Sequence, residues 1–229
     1  MPSRTEPRVT LNALADYLTA SAGRRRSIVT DQKSPKTFRV AYYADAEDAV
    51  IGALSGGGTG DALDHLARGR AKVMATHATK EWEQARRDTQ LEAIEAARAF
   101  LESDVASPLL GLTTHRRRTA ALLVSGVHVS VRPELFIADT TNATTGAIKL
   151  YFSKSGALPD ERARYAGAIL HRFVESLSPD ASADYRSCFV VDVFARRLHL
   201  APRTYRRRRQ DIDAACSEIA ATWGGDSRM

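Results

Sequence analysis

The sequence predicts an α/β (α+β) fold, with a helical N-terminal half followed by a small mixed β-sheet flanked by helices. Three observations predict it. Residues 79–103 set apolar side chains at helical spacing among many charges. Residues 127–132 alternate, with Val127, Val129 and Val131 on one side and His128, Ser130 and Arg132 on the other, the period of a half-buried strand. Residues 188–194, Cys-Phe-Val-Val-Asp-Val-Phe, have the β-branched and aromatic content of a buried strand. A chain of 229 residues, 44% hydrophobic and 26% charged, can bury a substantial core. It divides into a helical region at 1–78, an α/β core with a C-terminal helix at 79–223, and a tail at 224–229.

In chain order, Thr10 or Asn12 can cap a first helix that carries Leu11, Leu14, Ala15 and Leu18 as a narrow stripe and stops near Gly23. Gly23-Arg24-Arg25-Arg26 then opens a basic stretch that reads as a linker to Lys36. Residues 37–54 read as helix, with an ambiguous first turn because Phe38, Val40, Tyr42 and Tyr43 favour extended backbone. The glycine cluster at 56–60 reads as a hinge, because a phosphate-binding loop needs a Lys-Ser/Thr pair and a preceding strand. A short helix is expected at 61–70 and a long one at 79–103, burying Trp82, Ala85, Leu91, Ile94, Ala97 and Leu101. Pro108 and Gly111 break the chain before His115-Arg116-Arg117-Arg118.

The centre is expected as one strand over 122–136 and a second over 147–152, joined by a polar loop at 138–146. Glu134 and Lys149 then lie on paired strands. Pro159, Asp160 and Glu161 start a helix over 160–177, with acids at its positive end. It buries Tyr165, Ala168, Ile169, Phe173 and Leu177. Strands at 188–194 and 198–201 and a helix at 204–223 complete the chain; the helix opens with Tyr205 and four arginines.

Two cysteines, Cys188 and Cys216, make neither a disulfide framework nor a cysteine-based zinc site and suit a reducing compartment. The polar first eight residues and the lack of any run of roughly 18 apolar residues lead to the expectation of a cytoplasmic protein with no membrane partner. The six histidines show no metal-ligand spacing, and His128 on the polar side of its strand reads as structural. A net charge of +6 favours an anionic partner, nucleic acid first.

The order helix, strand with an acid, strand ending in a lysine, helix, strand resembles the core of the PD-(D/E)XK nucleases, in particular their RecB/Cas4-like branch. The resemblance covers about residues 80–200. It rests on Val131-Arg132-Pro133-Glu134-Leu135 for the first acid and Gly146-Ala147-Ile148-Lys149-Leu150 for the acid-x-lysine strand. Arg164, Tyr165 and Arg172 stand on the following helix, where that branch keeps polar and aromatic residues. It implies a restriction-endonuclease-like core with Glu134 and Lys149 as catalytic residues and Glu134 as a metal ligand. Ala147 departs from it, standing where the family keeps a second carboxylate. Magnesium in such sites is held by about two carboxylates, so the expectation is a degenerate nuclease-like fold that binds without cutting and needs no cofactor. An active Mg²⁺-dependent nuclease would need a migrated acid, for which Asp160, Glu161, Asp192, Glu92 and Glu95 are candidates. On the residues alone, Glu134 and Lys149 also read as a cross-strand ion pair that fixes register.

The expected nucleic-acid contacts, to DNA first, are Arg132, Lys149 and Lys154 on the sheet, flanked by Arg116, Arg117 and Arg118 and by Arg206, Arg207, Arg208 and Arg209. Lys154 also reads as an ordinary surface lysine, and the final arginine run as a solvated face pairing with Asp211 and Asp213. Tyr205 could stack on a base. A helix-turn-helix regulator is the alternative for 198–209 and requires a helical 188–200. A protein-interaction adaptor, with a protein partner or a homodimer, is the last alternative.

Overall fold

The protein is a mixed α/β fold, and the computed structural model describes residues 5–35, 42–55, 57–116, 121–140, 143–177 and 183–225. The elements are β1 (Arg8–Thr10), α1 (Leu11–Thr19), α2 (Ala22–Lys33), α3 (Ala44–Leu54), α4 (Thr59–Ala75) and α5 (Glu81–Leu101), then β2 (Thr114–His115), β3 (Ala121–Val124), β4 (Val127–Ser130), β5 (Leu135–Ala138) and β6 (Thr144–Tyr151). α6 (Asp160–Leu177), β7 (Cys188–Asp192), β8 (Arg197–Leu200) and α7 (Tyr205–Gly225) follow.

A five-stranded sheet runs in the order β2-β5-β6-β7-β8. β2, β5 and β6 are antiparallel; α6 then returns the chain so that β7 lies parallel to β6, and β8 closes antiparallel to β7. Alternation along the strands feeds two cores. Ala147, Phe136, Cys188 and Val190 pack with α1, α6 and α7, while Ile148, Leu150, Leu135 and Val191 pack with α3, α4 and α5. Segments before and after residue 79 therefore share both cores.

The single strand expected at 122–136 is instead three. Ser125 (φ 45°) and Gly126 (φ 80°) form a two-residue turn that pairs Val124 with Val127. Left-handed backbone at both positions matches the twist of the flanking strands. The hairpin β3-β4 leaves the main sheet and takes β1 as a parallel neighbour, with Val9 opposite Val129. Strand β6 begins at Thr144, inside the expected loop, and β7 stops at Asp192.

The basic linker expected from Gly23 to Lys36 is the helix α2 as far as Lys33, because arginine is a good helix former and Ile28 and Val29 anchor it in the core. Helix α4 is longer than expected and packs tightly on α3: a Cβ on Gly69 would stand 2.3 Å from that of Ala49. On α5, Ile94, Ala97 and Leu101 are buried as expected, but Trp82 is half exposed and Ala85 exposed because they lie near the start of the helix, before the packed face begins at Gln90. Gln90 on α5 caps α3, its Oε1 accepting from Asp45 N at 2.8 Å. Helix α7 continues to Gly225, two residues into the expected tail. Among the described residues, no helix is long and apolar enough to cross a membrane.

Candidate nucleic-acid interface

Glu134 and Lys149 meet. Glu134 stands one residue before β5, whose register sets Leu135 against Ile148, and its N–H donates to Ile148 O at 3.0 Å. Its carboxylate accepts from Lys149 Nζ through one oxygen and from Leu150 N at 2.5 Å through the other. Lys149 also donates to Arg132 O at 3.0 Å. The two side chains are only 9% and 13% exposed, so this is a nearly buried ion pair with both carboxylate oxygens engaged.

One neighbour was not anticipated. Glu47 on α3 lies within electrostatic reach of the pair, and burial, then the charge of Glu134, raise its carboxyl above the usual range against the opposing pull of Lys149. Its trace in the sequence is an acid set at helical spacing with the partly buried Tyr43 and the buried Val50 and Leu54.

These groups do not fit a magnesium ion. Glu134 already spends both oxygens, and Ala147 offers a methyl group sealed in the core. The acids named as migration candidates serve elsewhere. Asp192, fully buried, accepts from Leu158 N at 2.6 Å and Ala195 N at 3.1 Å, fixing the chain before α6 and after β7. Glu161 holds Arg208 at 2.9 Å, and Asp160 sits 3.9 Å from Arg197 and 4.0 Å from His199. Glu92 pairs with Lys154, and Glu95 with Arg70 at 2.9 Å.

Lys149 also faces a cleft of about 570 Å³ between the sheet and helices α1, α2 and α6. Arg8 and Arg132 line it, exposed and with no ion-pair partner among the described residues. Arg24 and Arg162 form part of the opposite wall, both drawn to Asp16.

The other basic clusters divide. Arg116 pairs with Asp48 at 3.2 Å, while Arg117 and Arg118 lie outside the described residues. In the final run, Arg208 bonds Glu161 at 2.9 and 3.1 Å, and Arg209 bonds Glu175 at 2.6 Å and His171 Nδ1 at 3.1 Å. All three partners project from α6, which turns these two arginines inward. Arg203, Arg206 and Arg207 stay exposed with no ion-pair partner among the described residues. Asp211 and Asp213, expected to neutralise the run, serve α6 instead: Tyr165 donates to Asp211 at 2.9 Å and Arg172 to Asp213 at 2.7 Å. Tyr205 is engaged as well, its ring 4.7 Å from that of His171 and 4.4 Å from the Arg209 guanidinium. The backbone through 188–192 and 197–200 is extended, against what a helix-turn-helix requires.

Two histidines make the fold sensitive to acid. Burial holds His171 and His199 below the usual imidazole range. The Ala183 carbonyl, Glu175 and Asp184 oppose the shift at His171 and Arg209 adds to it; Asp160 and Asp192 oppose it at His199. The unfolded chain takes up these protons near pH 6.5 and the folded protein only lower, so stability is whole above about 6.5 and falls as pH drops through that window. Urea unfolding at pH 7.5 and 5.5 should show the loss, and replacing both histidines with glutamine should flatten it.

No family model matches the chain, and no curated protein or solved structure matches it.

Proposed function

We propose that this protein binds nucleic acid, DNA before RNA, on a nuclease-like core that has lost its cutting site, within a defence, repair or mobile-element system. The carrying observation is the asymmetry of the arginine run at the start of α7. Acids on α6 neutralise Arg208 and Arg209, yet Arg203, Arg206 and Arg207 are exposed with no ion-pair partner among the described residues. Positive charge at a helix N-terminus opposes the macrodipole, so these side chains cost stability that the fold does not return. A phosphate backbone would return it.

The nuclease-like part of the reading is supported by α5, the antiparallel strands β2, β5 and β6 (with the β3-β4 hairpin inserted between β2 and β5), α6 and a strand parallel to β6. The loss of cutting is supported by the closed Glu134–Lys149 pair and by Ala147. A cytoplasmic setting is supported by two buried free thiols, Cys188 and Cys216.

The test is retention and cleavage of DNA across a salt series, with Mg²⁺, Mn²⁺ or EDTA. Retention should weaken with salt, and the Arg206→Ala/Arg207→Ala variant should lower the logarithmic salt slope by about two. No cleavage is expected. Metal-dependent cleavage lost in Lys149→Met would make this a working nuclease, and no retention at low salt would leave the adaptor.

A further inference from the structure

We infer that the cleft beside Lys149 is a binding site for one nucleotide unit that carries a phosphate monoester. The inference stands apart from the arginine run and does not require it. A space of about 570 Å³ falls in the range of small-ligand sites, roughly 300–1,000 Å³. It can take a nucleotide and cannot take a duplex.

The charge of the cleft selects the ligand. Five cationic side chains line it, Arg8, Arg24, Arg132, Lys149 and Arg162, with the carboxylates of Asp16 and Asp31. Glu134 balances Lys149 from behind. Two positive charges remain, and a phosphate monoester carries between about one and a half and two negative charges at pH 7. An internal phosphodiester carries one. Among the described residues, Arg8 and Arg132 have no ion-pair partner, and Arg162 adds a buried Nε with no hydrogen-bond partner.

The cleft also offers a surface to a base. Tyr151 lies two residues after Lys149 on the same strand and lines the same cleft with a partly buried ring, the kind of face on which a base stacks. Inorganic phosphate would use the arginines alone, whereas a nucleotide would use both parts.

A free nucleotide and the phosphorylated end of a strand share this chemistry. Equilibrium binding of dAMP, deoxyadenosine and inorganic phosphate to the full chain tests the site. The expected result is that dAMP binds at least tenfold more tightly than deoxyadenosine. Arg8→Ala with Arg132→Ala should weaken dAMP tenfold or more. These two side chains are exposed and make no ion pair among the described residues, so the variant keeps its fold. Tyr151→Leu should weaken dAMP but leave inorganic phosphate unchanged, and Arg206→Ala/Arg207→Ala should leave dAMP unchanged. Equal binding of dAMP and deoxyadenosine, no binding of either, or dAMP binding that ignores Arg8 and Arg132, overturns the site. Competition of dAMP by a 5′- or 3′-phosphorylated oligonucleotide, but not by its hydroxyl-ended form, identifies a strand end as the source; absence of competition identifies the free nucleotide. A circular single strand has no end and reads only the arginine run, so its failure to bind at low salt defeats the nucleic-acid reading and leaves the cleft standing.

Discussion

Glu134→Ala lowers stability by about 3–5 kcal/mol in urea unfolding, the usual cost of removing one partner from a buried ion pair. The loss has two sources. Lys149 is left with the Arg132 carbonyl and the more distant Glu47 in place of its close partner, and the Leu150 N–H loses its acceptor. Lys149→Met costs less, because Glu134 still accepts from Leu150 N. In the Lys149→Met background, Glu134→Gln costs less than about 1 kcal/mol, since neither charge remains and the amide oxygen still accepts from Leu150. A loss under about 1 kcal/mol for Glu134→Ala in the native background would mean that water reaches the pair and that it does little to hold β5 against β6.

Gly146→Ala is the second large effect, at about 3 kcal/mol or more. A Cβ at this position would lie 2.0 Å from Ser187 O, 2.5 Å from Ser187 Cβ and 2.6 Å from Ser187 C. Two of those three atoms are backbone and cannot rotate away. The collision falls just where the parallel pairing of β6 and β7 begins, one step before Ala147 meets Cys188. Asp184 N also donates to Thr145 O at 2.9 Å, which holds the approach of the two segments fixed. Gly156→Ala, with open space around the added methyl, is the control and should stay within about 0.5 kcal/mol of the native protein. Equal midpoints for the two variants would show that the start of β7 gives way easily.

What could be read in advance followed from local chemistry. Helix α6 was legible to the residue because Pro159 and two acids mark its start and its apolar spacing is strong. The meeting of Glu134 and Lys149 was legible because both sit on alternating segments separated by turn residues. The β3-β4 hairpin left a trace that was passed over: the buried positions switch from even, 122 and 124, to odd, 127, 129 and 131, at Ser125-Gly126. Helix α2 showed no period because only Ile28 and Val29 on it are buried. Glu47, and the α6 acids that take up Arg208 and Arg209, depend on contacts between distant segments. A run of arginines looks uniform until the neighbouring helix sorts it.

The packing of α1 bears on how the chain is made. Its buried residues Leu11, Leu14, Ala15 and Tyr17 join the core that α6 and α7 supply, and β1 waits for β4. Helix α6 starts at Asp160, well over a hundred residues after α1. At roughly 5–20 residues per second, the apolar stripe of α1 leaves the ribosome on the order of ten seconds before its partner exists. During that interval only α2, through Ile28 and Val29, is at hand to cover that stripe, which makes it an obvious early client for a chaperone. Helix α1 is thus made well before the helices α6 and α7 that complete its burial.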